Sequence, residues 1–473
     1  MGLVSLGFYL ATLAPGLTWA HDSGDGGELA AAARTLGIPH PPGYPTYLLL
    51  AHLFTLLPVG EVATRTNLLS AVCAAGTAAL LTWTLARAGG RRAAAVGAGL
   101  ALAFSPLLWS QATVTEVHTL NGLFAALLLA LAALAEPRAP RTPRQSALLA
   151  LAVGSAWGLS LGNHPTALFC APLVFLALWR LRRPGFFGIA GVALGLAVYL
   201  YLPLRAAADP PINWGDPRTP ERFWWMISGA PYRPFIFSLP QEYLPARLLA
   251  WAGLLTQQFG GVGLAVAALG AAALWTTERP LLWATGTTVA LCSVFAVGYN
   301  TSDSYLHLIP ALVCLGLWLG VGMNGLISAL AARARWAARV VAVLTVVLPL
   351  AAGICRFPAL DLSGDRAAHD FGAAILAQTP AGAVVPSRRD AHTFALWYFQ
   401  HALGRRPDVI VVDLDLLGYD WYTAHLARQP GAPGWADMLL AGGEDDLRQA
   451  AQTLGRPICR IGPEGTGLIC AGP

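Results

Sequence analysis

Lysine is absent from this 473-residue chain: all 30 basic residues are arginine. Charge of either sign is scarce, 12% of residues against about 25% in soluble globular proteins. With 56% hydrophobic residues and a mean hydropathy of +0.55, that scarcity excludes an ordinary soluble domain and points to an integral membrane protein. Missing lysine beside abundant alanine fits a GC-rich bacterial genome, so the inner (cytoplasmic) membrane of a bacterial cell is the expected location. The net charge of +5 carries no nucleic-acid signal, because the arginines matter through where they lie, and no nucleic-acid partner is expected.

Other absences narrow the chemistry. No Cys-x-x-Cys or Cys/His metal spacing occurs, and five of the seven cysteines (Cys73, Cys170, Cys292, Cys314, Cys355) fall in or beside apolar runs as small core residues. Cys459 and Cys470 flank RIGPEGTGLI and are placed to form a disulfide if that end lies outside the cytoplasm. The tail from 357 has no GxGxxG, P-loop or GxSxG, which leaves a nucleotide or hydrolase site there unsupported. The opening run lacks a positive n-region, so it reads as a first membrane helix rather than a cleaved signal.

What is present is apolar. Runs near 20 residues predict eleven spans, at 2–19, 66–86, 93–109, 119–135, 145–161, 164–180, 186–203, 259–276, 281–298, 306–327 and 337–356. YLLLAHLFTLLP (47–58) is too short to cross and reads as re-entrant or interfacial, and GNHP divides 145–180 into two spans. Arginines then set the orientation. The groups Arg87/Arg91/Arg92, Arg138/Arg141/Arg144, Arg180/Arg182/Arg183 and Arg333/Arg335/Arg339, with Arg279, all land on one side of an eleven-span chain. By the positive-inside rule that side is cytoplasmic, which puts the segment from 357 outside. The expected fold is a polytopic α-helical bundle over 1–356, followed by a small α/β extracytoplasmic domain over 357–473, where GAVVP and DVIVVDLD read as strands.

The opposite face collects the polar stretches: HDSGDGGE, TEVHTLN, LGNHP, the loop 204–245 with INWGDP, and YNTSDSY. An ionisable group at membrane depth costs roughly 2.5–3.5 kcal/mol to insert, so such groups are functional candidates. Asp25 and Glu28 share a helix face if a helix starts at Asp25, with Ser23 or Asp25 as its cap or a carboxylate serving as general base. His40 and Tyr44 lie in the stiff PHPPGYP turn. Glu116, His118, Asn163 and His164 stand at outer helix ends. Arg65 and Asn67 in TRTNLLS, and Arg205 in YLPLRAA, lie on the outer side against the arginine trend; phosphate or an aspartate would pair the arginines. Asn213, Trp214 and Asp216 offer sugar-stacking and polar contacts, and Asp303 is a helix cap or a substrate contact.

DGGELAAAARTLGIPHPPGYPTY, RTNLLSAV, EVHTLNGLF, GLSLGNHPT, YLPLRAAADPPINWGDP, YNTSDSY and SRRDAHTFALWYFQHALGRRPDV together resemble a bacterial branch of the transmembrane protein 260 family, protein O-mannosyltransferases of the GT-C superfamily. The resemblance covers nearly the whole chain. It implies transfer of a sugar, such as mannose, from a polyprenyl-phosphate donor in the bilayer to an external acceptor hydroxyl on protein or glycan, with inversion. An aspartate of the first external loop would be the base. Asp25 fits the family's acidic-Gly-Gly-Glu pattern, and Asp22 is an extra aspartate that rivals it. Arg65, Arg205 or a histidine would hold the leaving phosphate. Glu28 would position the acceptor, orient a histidine or share a divalent cation, of which the cation is least favoured; no cofactor is expected. A transporter or flippase is the alternative, for which proton-relaying carboxylates would serve, although the two halves of the chain show no self-similarity.

Overall fold

The computed structural model describes residues 1–136, 141–181, 185–428, 443–462 and 467–471. Helix α1 (Gly2–Ala11) ends before Pro15 and Gly16, which interrupt the run expected over 2–19. After the acidic loop come α2 (Gly26–Thr35) and, past the proline turn, α3 (Pro45–Thr55). With 11 residues, α3 is about 16 Å long, too short to cross a bilayer. Next are α4 (Val62–Arg87), then α5 (Arg92–Ala103) and α6 (Pro106–Ala112), which bend by 63° ahead of Pro106. Helix α7 (His118–Ala135) leads to α8 (Pro143–Leu161) and α9 (Ala171–Leu181), separated at GNHP as expected. The remainder comprises α10 (Gly185–Leu196), α11 (Tyr201–Ala207), α12 (Pro220–Ile227), α13 (Leu244–Thr277), α14 (Arg279–Gly298), α15 (Ile309–Ala331) and α16 (Arg335–Leu360). Helix α13 is broken at Gly260, whose φ of 70° and ψ of 163° are not helical, so the span expected from 259 forms its second part and the end of the outer loop forms the first.

Seven helices among the described residues are long and apolar enough to cross a membrane, and the bent α5–α6 pair makes eight. The remaining expected runs, at 2–19, 145–161 and 164–180, are helices that fall short in length or apolarity, so eleven is not the count that helix length supports. The bundle has a centre and a rim. Of the most apolar window of α15 83% is buried, against 17% for α13 and for α16. Val262 on α13 and Trp336 on α16 point outward, 81% and 72% exposed, as lipid-facing side chains do. Helices α8 and α10 meet backbone to backbone through Gly154, Gly158, Gly191 and Gly195. A Cβ at Gly154 would lie 2.1 Å from the Gly188 carbonyl oxygen.

Helix ends sort by chemistry. Arg180 at the end of α9 donates to the Ala132 carbonyl near the end of α7 and pairs with Glu278 between α13 and α14. Arg91 at the start of α5 bonds Asn324 and Ser328 on α15. These arginine-bearing ends therefore meet at one end of the bundle. The polar loops meet at the other, where Asn163 bonds the Val117 carbonyl and Arg247 bonds Ser304. Arg138, Arg182 and Arg183 lie outside the described residues.

Beyond α16 the chain forms a small sheet with helices α17 (Ala367–Gln378), α18 (Asp390–Trp397), α19 (Asp420–Arg428) and α20 (Glu444–Thr453). Strands β1 (Val384–Ser387), β2 (Ile410–Asp413), β3 (Ile458–Ile461) and β4 (Leu468–Ala471) lie in the order β2-β1-β3-β4. Both neighbours of β1 run parallel to it and β4 is antiparallel to β3, with Cys459 and Cys470 joined in a disulfide across that pair. Every residue of β1 and β2 is buried, which accounts for the unbroken apolar strings GAVVP and DVIVV.

This domain is docked onto the acidic loop. Trp19 Nε1 donates to the Ala391 carbonyl at 3.1 Å, and the Ala63 amide to the Tyr398 hydroxyl at 3.1 Å. A Cβ at Gly27 would lie 2.4 Å from the Phe394 carbonyl oxygen, so the second glycine of DGGE is where α18 presses on α2. Arg428 forks onto Asp209 at 2.8 and 3.0 Å.

Candidate active site

Asp25 occupies the cap position of α2, yet its side chain bonds no helix amide, and Ser23 Oγ turns to the Thr115 carbonyl instead. The simple cap expected of either residue is therefore not made. Three residues on, Glu28 is fully buried and accepts from the His40 amide at 3.3 Å and from its Nδ1 at 2.5 Å. The other imidazole nitrogen, Nε2, lies 2.9 Å from the Tyr44 hydroxyl and 3.6 Å from Asp25 Oδ2. A buried carboxylate is tolerable only when paired and hydrogen-bonded, and Glu28 has both kinds of partner in one residue. The PHPPGYP turn holds that residue in place: the Gly43 amide bonds the His40 carbonyl, and Gly43 and Tyr44 adopt left-handed φ of 84° and 42°.

The electrostatics follow from this packing. Burial works against a charged His40, but the carboxylates of Asp25 and Glu28 outweigh it and push the imidazole up to about 9. The Asp25 side chain is 43% accessible, but the space it reaches is an internal cavity. Burial there, with Asp303 adding to it and His40 opposing it, raises Asp25 above the usual carboxylate value. A carboxylate moved toward neutrality beside an imidazolium is suited to accept a proton.

That cavity, of about 390 Å3, gathers Asp25, Glu116, Asp303 and Asp390 with His40, His118, His164 and His307, and three tyrosines, Tyr44, Tyr232 and Tyr299. Leu168, Phe169 and Phe295 form its apolar wall. The rings of His118, His164 and His307 form a cluster with centroids 5.1 to 5.7 Å apart. Thr166 fixes one tautomer: its amide donates to His164 Nδ1 at 3.2 Å, so a neutral His164 carries its proton on Nε2. Among the described lining residues none is an arginine. Among the described residues, too, no three His, Cys, Asp or Glu side chains are grouped to hold a metal ion.

Of the residues singled out from sequence, Asp25, His40, Tyr44, Glu116, His118, His164 and Asp303 line this cavity, with Glu28 directly behind His40. The others lie elsewhere. Arg65 donates to the carbonyls of Thr55, Val59 and Gly60, and Arg205 to those of Thr35 and Leu36, so both cap chain ends near α3 and α2 rather than face the cavity. Asn67 ties α4 to the Ala14 and Gly16 carbonyls, and Asn163 ties α8 to α7. Asn213 bonds Asp216, which is forked by Arg218 and met by Arg222. Trp214 packs against Trp421 in a buried, tilted ring pair, 5.6 Å between centroids. Asp22 is exposed and takes the Tyr305 hydroxyl. Three cavity residues are not among those singled out from sequence: His307, Tyr232 and Asp390, the last inside the SRRDAHTF stretch. YLHLIP held a signal for His307, a lone histidine at a span's polar end, whereas Asp390 belongs to a domain 365 residues away in sequence from Asp25.

Two family models match the chain. Residues 25–184 match the Protein O-mannosyl-transferase TMEM260 N-terminal domain, and residues 368–432 match TMEM260-associated domain 2. The first match begins at Asp25 and leaves Asp22 outside. Mouse (Mus musculus) protein O-mannosyl-transferase TMEM260 is 29% identical over 439 residues, 86% of this chain and 62% of that protein, so the chain spans less than two thirds of the relative. In structure the chain is similar to ArnT from Cupriavidus metallidurans bound to undecaprenyl phosphate. That likeness has a TM-score of 0.55 at 15% identity and covers 88% of this chain and 90% of the other. The Archaeoglobus fulgidus oligosaccharyltransferase in complex with Zn and sulfate gives 0.50 at 14%, covering 97% and 67%. These likenesses show a shared fold, and DGGE, PHPPGYP and GNHP all lie within the residues that the TMEM260 N-terminal domain matches.

Proposed function

We propose, given two TMEM260 domains on a GT-C fold, that the chain is an inverting membrane glycosyltransferase. It moves a sugar, mannose by analogy with the mouse relative, from a polyprenyl-phosphate carrier to a hydroxyl of an acceptor protein. The observation that carries this reading is Asp25: a carboxylate free of helix capping, 3.6 Å from His40 Nε2, opening into a cavity with three further histidines.

Asp25 takes the acceptor hydroxyl's proton as that oxygen bonds the anomeric carbon. The bond from that carbon to the phosphate oxygen breaks, and its electron pair leaves with the phosphate. Such a leaving group needs no proton, so one carboxylate suffices. The charge gathering on phosphate meets imidazole N–H donors, His164 Nε2 first among them, since Arg65 and Arg205 are committed to backbone carbonyls. Glu28 acts through His40 as a positioning residue. The cavity and the C-terminal domain face outward in a bacterial inner membrane, and transfer proceeds without a metal ion. A transporter or flippase finds less support, because the ionisable cluster gathers at one end of the bundle instead of at mid-depth.

The test is transfer from polyprenyl-phosphate mannose by purified Asp25→Asn protein. A loss of about 10²–10⁴ is expected, with folding and insertion intact, while Asp22→Asn stays within a few-fold of wild type. Undiminished turnover by Asp25→Asn would overturn the assignment. Turnover should also survive EDTA; a loss restored by adding a divalent cation would refute metal independence.

A further inference from the structure

The C-terminal domain has a crevice of its own, distinct from the membrane cavity. The chain leaves β1 to form β2 on one side and returns to form β3 on the other, which opens a gap at the carboxyl ends of β1 and β3. In open α/β sheets such switch points are where ligands bind. Here the gap measures about 330 Å3 and is lined by Arg388, Arg389, His392 and Arg460 against a single carboxylate, Glu444. Arg460 bonds Glu444, which Arg388 also reaches, at 3.4 Å; Arg388 is 3.4 Å from Asp415 as well. Two guanidinium groups thus share one lining acid, and among the described residues Arg389 pairs with no carboxylate. His392 is held by stacking on Phe371, 4.4 Å between ring centroids. The crevice and the active cavity share a wall: Arg389 lines one and its neighbour Asp390 lines the other.

We propose that this crevice is an acceptor subsite that binds a carboxylate side chain of the acceptor polypeptide, a few residues from the hydroxyl entering the cavity. Guanidinium forks match a carboxylate's planar pair of oxygens. The shared wall lets a peptide anchored there reach the cavity that Asp25 lines. The proposal rests on the glycosyltransferase reading for the identity of the acceptor, but its test reads binding alone.

The experiment measures fluorescence anisotropy of a labelled Ser/Thr peptide carrying a nearby Asp or Glu, with the full-length protein in detergent. The Asn/Gln version of the peptide is the comparison. The acidic peptide should bind about tenfold more tightly, the scale of one charge-assisted hydrogen bond. Arg389→Gln, which strands no partner, should erase that preference, whereas Asp25→Asn should leave it unchanged. Equal affinities, or a preference that survives in both Arg389→Gln and Arg388→Gln, would overturn the subsite. Displacement by inorganic phosphate with no preference for the acidic peptide would overturn it too. If Asp25→Asn proved fully active, the glycosyl-transfer mechanism would fail while the anisotropy result stood on its own.

Discussion

The two polar ends of the helix bundle handle charge in opposite ways. At the arginine end each described interaction closes locally: Arg180 caps α7 and pairs with Glu278, and Arg141 donates to the carbonyls that end α7. Cations at helix C-termini complement the macrodipole, and among the described residues none of these arginines carries a buried side-chain nitrogen without a partner. At the other end polar atoms are buried with no partner among the described residues, including His118 Nδ1, His307 Nδ1 and Asn163 Oδ1. Buried polar atoms are usually satisfied, so a concentration of open ones around a cavity marks where something else supplies the bonds. Membrane-edge charge alone therefore does not mark a site; buried polar atoms without partners around a cavity do.

Mutation puts that contrast to the test. The largest effect is expected from Glu28→Ala, which leaves His40 charged and buried without its hydrogen-bonded carboxylate; a loss of about 3–5 kcal/mol in unfolding free energy is expected, read by thermal melts in detergent. Glu28→Gln, which keeps the shape, should retain more stability but lower kcat. Next, His307→Phe removes a cavity donor without emptying the space, and transfer should fall about 10²-fold with the melting temperature nearly unchanged. A wild-type rate would remove His307 from the proposed phosphate site.

The pH profile is a finer probe. His40 is raised above its free value of 6.5 to about 9, so its protonated form stabilises the folded site fully below 6.5 and that contribution is lost as pH rises through about 9. Asp25 must be ionised to act, and burial lifts it above 3.8, so activity should fall on the acid side before an ordinary aspartate would titrate. A kcat/KM profile with an alkaline limb near 9 that vanishes in His40→Asn is expected; an unchanged limb would detach it from this residue. The smallest effect belongs to the other end. Arg180→Gln should cost about 1 kcal/mol, since Glu278 is partly solvated, and leave the pH profile unchanged.

Much of this is legible in the order of the residues alone. Apolar runs mark the helices, because a spanning segment must satisfy its own backbone and so announces itself by length. DGGE, PHPPGYP and GNHP mark Asp25, His40 and part of the cavity wall. Span counting is less secure, since α1 and α9 are apolar but short and α8 is long but less apolar. The two outer arginines mislead for a specific reason: a guanidinium in sequence looks the same whether it binds phosphate or closes a helix end, and Arg65 and Arg205 do the latter.

Local composition and spacing suffice to establish that the chain is a membrane protein, where its helices lie and that Asp25 belongs to a motif. They do not reveal that Glu28 serves His40 and not the cavity, that His307 joins His118 and His164, or that Asp390 crosses from the C-terminal domain to face Asp25. Those three facts depend on packing between segments far apart in the chain. Gly27 carries no side chain, α18 closes onto α2 there, and distant residues come to share one desolvated space.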